Sequence, residues 1–192
     1  MHESLNRQSA LAEQLGGVGG TRAEQQAGVT IIERRSLQIA EVAFFAPPSA
    51  SEKRALAEAS GTYFPEQPGS TSTLNKSSLL CLGHDRWLVV TQGTLAMGFL
   101  SDLLRGTAAI SDLSHARSVL RLSGGPARDW LARKVAIDLH ERAFPPGSCA
   151  QTAIEEINVL VHFVDATPNY DLYVDRSSAV AFWDLLKASP MA

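Results

Sequence analysis

Asp138 and His140 are the two residues of this sequence whose types and spacing best suit proton transfer. A carboxylate beside an imidazole orients the ring, so an Asp-x-His pair can act as a general acid or base. The pair stands in a segment punctuated by Pro145, Pro146 and Gly147, where the chain must turn. In such loops an Asp side chain more often accepts a hydrogen bond from a nearby backbone N–H. We therefore predict that Asp138 and His140 anchor the loop or a subunit contact, and we predict no catalytic residue here.

Cys149 is the second residue that could do chemistry. A nucleophilic cysteine needs a helix N-terminus or a cationic neighbour to lower its thiol pKa. The residues that follow, 150–154, are expected to be extended, so we predict a buried cysteine at the start of a strand. Cys81 lies in an apolar stretch and is predicted to be core. The absence of a Cys-x-x-Cys motif fits a reducing, cytoplasmic compartment.

The remaining histidines do not predict a metal site. His84, His115 and His162 have neither ligand spacing nor acidic or cysteine partners at such spacing. The sequence also contains no Gly-x-Ser-x-Gly and no Gly-x-Gly-x-x-Gly motif, so it supports neither a hydrolase nor a dinucleotide binder. We predict no cofactor and no metal on this chain.

Composition excludes further classes of protein. The chain has 192 residues, a formal net charge of -3 and a sequence pI of about 5.9. A basic footprint for nucleic acid is therefore missing. No apolar run reaches the about 18 residues that a membrane-spanning helix needs. The N-terminus has no continuous apolar segment of a secretory signal. We expect neither a nucleic-acid partner nor a membrane partner.

The first part of the chain predicts an arm followed by a compact half. Residues 1–27, with the glycine-rich stretch 16–20, are predicted to be a flexible N-terminal arm. The elements predicted after it are extended segments at 31–40 and 41–45, a helix at 51–59 capped by Ser51, a loop at 61–78, a hairpin of 78–82 with 87–91, a helix at 95–104 and a strand at 108–112.

The second part repeats this order of elements. The predicted elements are a strand at 116–122, a helix with Pro126 as its first residue, the loop 138–147, strands at 157–164 and 170–174, and a final helix capped by Asp175. Units of strand, hairpin, strand and helix thus recur near 78–105 and 157–187. The sequence predicts an α+β protein with mixed or antiparallel sheets, helices on one face and pseudo-duplicated, ferredoxin-like halves. Residues 28–192 are predicted to be one domain.

Several segments together resemble one known family. They are Asp112–Ser114, Leu122–Ala127, Ile137–His140, Phe144–Gly147, Thr152, Tyr170–Val174 and Arg176–Ala179 with Phe182 and Trp183. This pattern, over roughly residues 78–187, resembles the gamma subunit of heterotetrameric sarcosine oxidase. The wider strand–Gly-x-x-Ala–helix pattern is similar to the folate-binding domain of aminomethyltransferases.

The resemblance implies an accessory role in a larger enzyme. The partners it implies are the alpha, beta and delta subunits of sarcosine oxidase, which demethylates sarcosine, forms hydrogen peroxide and passes the one-carbon unit to tetrahydrofolate. FAD, FMN, NAD, zinc and tetrahydrofolate are then held by the other subunits. On the resemblance and on loop position, Asp138, His140, Phe144 and Arg176 are candidate subunit-interface residues. The alternative is a free-standing folate-binding protein of the aminomethyltransferase superfamily.

Overall fold

The computed structural model describes residues 8–15, 23–26, 28–95 and 97–188. These residues form eleven strands, four α-helices and one 3-10 turn at Arg176–Ser178. The strands are β1 Glu24–Gln26, β2 Val29–Glu33, β3 Gln38–Phe44, β4 Thr71–Leu74, β5 Ser77–Cys81, β6 Arg86–Thr91, β7 Ala108–Asp112, β8 Arg117–Ser123, β9 Ser148–Ile154, β10 Ile157–Asp165 and β11 Asn169–Asp175. The helices are α1 Ala50–Ser60, α2 Met97–Leu103, α3 Ala127–Ala132 and α4 Ala179–Ala188.

All strand pairs in the two sheets are antiparallel. The five-stranded sheet has the order β4-β5-β6-β3-β7, and the six-stranded sheet has the order β1-β2-β8-β11-β10-β9. Helices α1 and α2 pack on one face of the five-stranded sheet, and α3 and α4 pack on one face of the six-stranded sheet. The predicted α+β class with helices on one face of each sheet is therefore confirmed.

The inner faces of the two sheets pack against each other. An apolar cluster joins them, made of Leu37, Ile39, Leu80, Leu88, Val90, Val119, Cys149 and Tyr173. Because successive side chains of a strand point to opposite faces, β11 places Tyr170, Leu172 and Val174 under the helices and Asp171 and Tyr173 between the sheets. The molecule is thus layered as helices, sheet, sheet and helices, and its central strands are buried on both faces.

The two sheets are built by one repeated order of elements. The first half runs β3-α1-β4-β5-β6-α2-β7, and the second runs β8-α3-β9-β10-β11-α4. Matching strands occupy matching places in the two sheet orders, with β2 in the place of β7. The second half therefore takes its last strand from the chain that precedes the first half. This arrangement confirms the predicted pseudo-duplicated, ferredoxin-like halves. The order of elements along the sequence shows the repeat only in part, because the last strand of the second half precedes the first half.

Several predicted boundaries were wrong. The N-cap of α1 is Ser49, whose side chain accepts a hydrogen bond from the Glu52 N–H, and not Ser51. The stretch predicted as loop 61–78 contains β4, because the Thr-Ser-Thr-Leu segment pairs with β5. Helix α2 begins two residues later than predicted.

Two predicted helix starts also differ in detail. Pro126 is the N-cap of α3 and not its first helical residue. Asp175 precedes the 3-10 turn before α4, and its side chain makes no capping hydrogen bond. The apolar stripe predicted on α4 is confirmed, since Ala179, Phe182, Trp183 and Leu186 are all buried.

Described parts of the segment predicted as an arm pack against the second sheet. Leu11 and Leu15 are buried in the cluster under α3 and α4, and β1 pairs with β2. The Ser9 hydroxyl donates to Glu33 at the end of β2. The glycine stretch 16–20 lies outside the described residues. The division of the chain at residue 28 stays a prediction.

The turn between β8 and α3 requires a glycine at position 124. Gly124 has a φ of 121°, a left-handed conformation that side-chain-bearing residues rarely adopt. A Cβ placed there would lie 2.1 Å from the carbonyl oxygen of Gly28, directly before β2. The close approach of these two backbones is what allows β2 to lie beside β8.

We predict that Gly124→Ala lowers the free energy of unfolding by about 2–4 kcal/mol, since it adds backbone strain and a steric clash at once. The measurement is urea unfolding followed by circular dichroism. Gly125→Ala is the matched control, because a Cβ at Gly125 meets no atom within 4 Å. The control should change stability by less than about 0.5 kcal/mol. Equal effects of the two substitutions would contradict the prediction.

Candidate functional site

The loop 138–147 is held by hydrogen bonds within itself. The His140 N–H donates to Asp138 Oδ1 at 2.8 Å, and the Arg142 N–H donates to His140 Nδ1 at 3.3 Å. The His140 carbonyl accepts from the N–H groups of Ala143 and Phe144. Asp138 therefore stabilises a turn, which is the structural role that its position predicted. The side chains of Asp138 and His140 are both exposed.

Arg128 of α3 fixes this loop to the body of the protein. Its guanidinium donates to the Leu139 carbonyl at 2.5 Å and lies 4.9 Å from the centre of the Phe163 ring. The Phe163 ring in turn stacks on Tyr170 at 4.6 Å. The Phe144 side chain is buried in the apolar cluster that contains Phe163 and Tyr170, and it therefore anchors the loop to the core. The loop therefore exposes the side chains of Asp138 and His140, while Arg128 and Phe144 hold its backbone in place.

Arg176 lies apart from that loop, at the start of the 3-10 turn. Its guanidinium donates to the Gln8 carbonyl at 2.7 Å, and its own N–H donates to the Ala116 carbonyl. It therefore ties the N-terminal segment to the end of β11. The four predicted interface residues are not brought together into one site.

The cysteines are not arranged for nucleophilic chemistry. Cys149 is buried between the sheets, where its thiol faces the Cys81 carbonyl at 3.7 Å. Burial raises the pKa of the Cys149 thiol to about 12, so the thiolate is essentially absent at neutral pH. Burial likewise raises the pKa of Cys81. The predicted buried cysteine at the start of β9 is confirmed.

A buried charge cluster between the sheets is the main polar feature that sequence reasoning missed. Asp171 is 1% exposed and bonds to two arginines. Arg34 donates to it at 2.6 Å, and Arg121 donates twice, at 2.7 and 2.9 Å. Asp171 belongs to β11, Arg121 to the neighbouring β8, and Arg34 follows directly after β2. One carboxylate thus links three strands.

His162 and Tyr173 lie beside this cluster. His162 is paired with Asp171 across β10 and β11, is fully buried, and contacts the Thr71 hydroxyl through Nε2 at 3.2 Å. Its ring stacks on Tyr173 with centres 6.5 Å apart. Burial lowers the pKa of His162 to about 4, although the nearby Asp171 carboxylate opposes that shift. His162 is therefore neutral at pH 7.

A cleft of about 480 Å³ opens between the sheets, and Tyr173 is one of the residues that line it. Its charged lining consists of Glu41, Arg86, Arg117 and Asp175, and Arg117 bonds to Asp175 at 2.6 Å. Two carboxylates balance two guanidinium groups, so the cleft offers no surplus charge to an ionic ligand. Gln151 and Asn158 add neutral polar groups to its wall.

A metal site and a membrane-spanning helix are both missing from the described part of the chain. Within it, no group of three or more His, Cys, Asp or Glu side chains is placed to hold a metal ion. None of the described helices is both long enough and apolar enough to cross a membrane.

The fold of this chain is shared with two solved structures of known proteins. The duplicated α+β fold is shared with the glycine cleavage system aminomethyltransferase T from Bartonella henselae, with a TM-score of 0.61 and 13% identity over 93% of this chain and 55% of that one. It is more similar to a chain of the heterotetrameric sarcosine oxidase from Corynebacterium sp. U-96 in complex with pyrrole 2-carboxylate. That TM-score is 0.77 at 25% identity, covering 91% of this chain and 89% of the other.

The family model of the sarcosine oxidase gamma subunit matches residues 55–191, so this chain belongs to that family. The sarcosine oxidase subunit gamma of Corynebacterium sp. (strain P-1) is 34% identical over 135 residues, which is 66% of each chain. That of an Arthrobacter species is 36% identical over 124 residues, 63% of this chain and 61% of the relative. The matched region thus spans just under two thirds of these relatives.

We predict that Asp171→Asn lowers the free energy of unfolding by about 3 kcal/mol or more, because it leaves two guanidinium groups without their buried counter-charge. Chemical unfolding of the purified chain measures this. Asp175→Asn, on the same strand but in the exposed pair with Arg117, is the control. That change should cost less than about 1 kcal/mol. A loss at Asp171 no larger than at Asp175 would contradict the prediction.

We further predict that acid weakens the fold through His162. The folded pKa lies below the ordinary value, so between pH 6.5 and about 4 the unfolded chain binds a proton that the folded chain does not. Stability therefore falls as the pH falls through this range, by roughly 3 kcal/mol in total.

Urea unfolding at several pH values between 7 and 5 tests this, with His162→Gln measured in parallel. The variant should show a flatter dependence of unfolding free energy on pH than the natural chain. The slope is compared, and not the absolute stability, because the substitution also alters packing. Identical slopes would exclude His162 as the source.

Proposed function

We propose that this chain is the gamma subunit of a heterotetrameric sarcosine oxidase and that it acts as a non-catalytic accessory subunit, which stabilises or organises the catalytic subunits. The observation that carries the proposal is the family match over residues 55–191. The side chains that could do chemistry also serve the fold. Asp138 stabilises a turn, Cys149 is a buried thiol, and His162 is a neutral buried imidazole.

The partners in this proposal are the alpha, beta and delta subunits of the oxidase. FAD, FMN, NAD, zinc and tetrahydrofolate are held by those subunits, where sarcosine is demethylated and hydrogen peroxide is formed. The complex then works in the cytoplasm. The balanced charges of the inter-sheet cleft support this assignment, since the cleft offers no surplus cation to the carboxylates of a folate.

The contact site in this proposal is centred on the loop 138–147. Asp138 and His140 are its exposed side chains, and Phe144 supports it from the core. Arg176 contributes by fixing the N-terminal segment at a second place on the same half. Because Arg128 holds the loop, little conformational entropy is lost when a partner binds it.

Co-expression with the other three subunits tests the proposal. A tag on the large subunit should retain this chain in a complex of four different chains, which is yellow and forms hydrogen peroxide with sarcosine. The isolated chain should be colourless and inactive. A chain that stays alone and binds a reduced folate saturably would instead support the free-standing folate-binding alternative.

We predict that His140→Ala weakens retention by about fivefold or more, as expected when an interface side chain worth about 1 kcal/mol is truncated. His84→Ala is the matched control, because His84 is also an exposed histidine but lies on the β5–β6 hairpin. Retention is measured from band intensities after tag purification. Unchanged retention and turnover of the His140 variant would remove this residue from the contact site.

A further inference from the structure

We propose that the cleft between the two sheets is a binding site for a free α-amino acid with an apolar side chain. Its volume of about 480 Å³ lies within the range of small-molecule sites in proteins. The inference goes beyond the proposed function, because neither an accessory role nor the contact loop 138–147 requires a ligand in this cleft. It rests on the unpaired charges at the rim of the cleft and on its apolar floor.

The cleft forms where the apolar packing between the sheets ends. Ile39 of β3 and Leu88 of β6 belong to the cluster that joins the two sheets. Side chains two residues apart on a strand point to the same face, so Glu41 and Arg86 also lie on this inner face. Burying a charge without a partner is costly, so charged side chains cannot continue the dry contact. The space between the sheets therefore opens into a cleft that both residues line.

Glu41 and Arg86 are close neighbours that do not pair with each other. Glu41 is in register with Leu88, and Arg86 stands two residues before Leu88, so the two charges occupy diagonal positions on adjacent strands. Within the described part of the chain, neither side chain forms an ion pair. Arg117 and Asp175, the other two charges of the lining, bond to each other at 2.6 Å. One carboxylate and one guanidinium group thus remain available to a ligand.

These two charges select a ligand that carries both signs. Diagonal neighbours on a strand pair are about 7–8 Å apart, which long side chains can span. A molecule with its carboxylate and its ammonium group on one carbon can therefore bond to Arg86 and Glu41 at once. The guanidinium fork matches the carboxylate, and Glu41 accepts from the ammonium group. A purely anionic or purely cationic ligand would meet a like charge beside its partner, which disfavours its binding.

The floor of the cleft selects the side chain of the ligand. Leu88 and Tyr173 line the cleft and are 3% and 1% exposed, and the partly buried Leu160 packs beside them. An apolar side chain placed on this floor is removed from water, which favours binding in proportion to the area covered. A zwitterion without a side chain, such as glycine, gains only the polar contacts. The ligand class is therefore an apolar α-amino acid.

Calorimetric titration of the purified full chain with L-phenylalanine tests the inference. We expect saturable binding, with glycine, L-phenylalanine amide and N-acetyl-L-phenylalanine each at least about tenfold weaker. Glycine lacks the apolar side chain, the amide lacks the carboxylate, and the acetylated compound lacks the ammonium group. No saturable binding of L-phenylalanine at millimolar concentration overturns the inference, and so does equal binding of any one of the three analogues. This comparison needs no substitution in the protein.

Two substitutions then locate the bound molecule. Glu41→Gln should weaken L-phenylalanine at least about tenfold, yet not weaken N-acetyl-L-phenylalanine further, since that compound has no ammonium group. Arg86→Gln should likewise weaken L-phenylalanine but not its amide. Glu58→Gln is the matched control, because Glu58 lies on α1, which covers the other face of the same sheet. Binding that both cleft variants leave unchanged overturns the inference. The proposed function is tested separately, by retention in the complex.

Discussion

The second half of this protein depends on the ion pairs that the buried Asp171 carboxylate forms with two arginines. The carboxylate accepts hydrogen bonds from Arg121 on β8 and from Arg34 directly after β2. β2 is contributed by a distant part of the chain, so nothing in the sequence order keeps it beside β8. A buried ionic contact tolerates little displacement, because any shift would leave a desolvated charge without its partner. The cluster therefore fixes the position and register of the strand that completes the sheet.

Gly124 and His162 are two further residues whose environment depends on the packing of these strands. Gly124 lets the backbone of the β8–α3 turn approach Gly28, immediately before β2. His162, in turn, remains neutral against the cluster because burial disfavours its charged form. Gly124 and His162 therefore both have structural roles in the second half of the protein. The chemistry of a reaction would need a substrate to reach these groups, and His162 and Asp171 are almost fully enclosed.

The elements and their duplication could be predicted from the sequence, but the buried cluster could not. Tyr170, Leu172 and Val174 alternate with period two, which correctly predicted a strand, and the structure places these three side chains under the helices. The same pattern places Asp171 on the opposite face of β11, and it does not show what covers that face. A second sheet covers that face, and sheet-on-sheet packing leaves no periodic signal of its own. The run Leu172–Val174, apolar at three consecutive positions, was the available sign that both faces of β11 are buried.

The two halves share a topology but differ in what they do with their last strand. In the second half, β2 is covered by β1 on its outer side and pinned by Arg34 to Asp171 on its inner side. In the first half, β7 occupies the matching place as the last strand of its sheet, and no described strand pairs with its outer side. The β7 edge is instead partly closed by its own half, because the Ala108 N–H donates to the Leu104 carbonyl directly after α2. The duplicated topology therefore fixes where the last strand of each half lies, but not what covers the outer side of that strand.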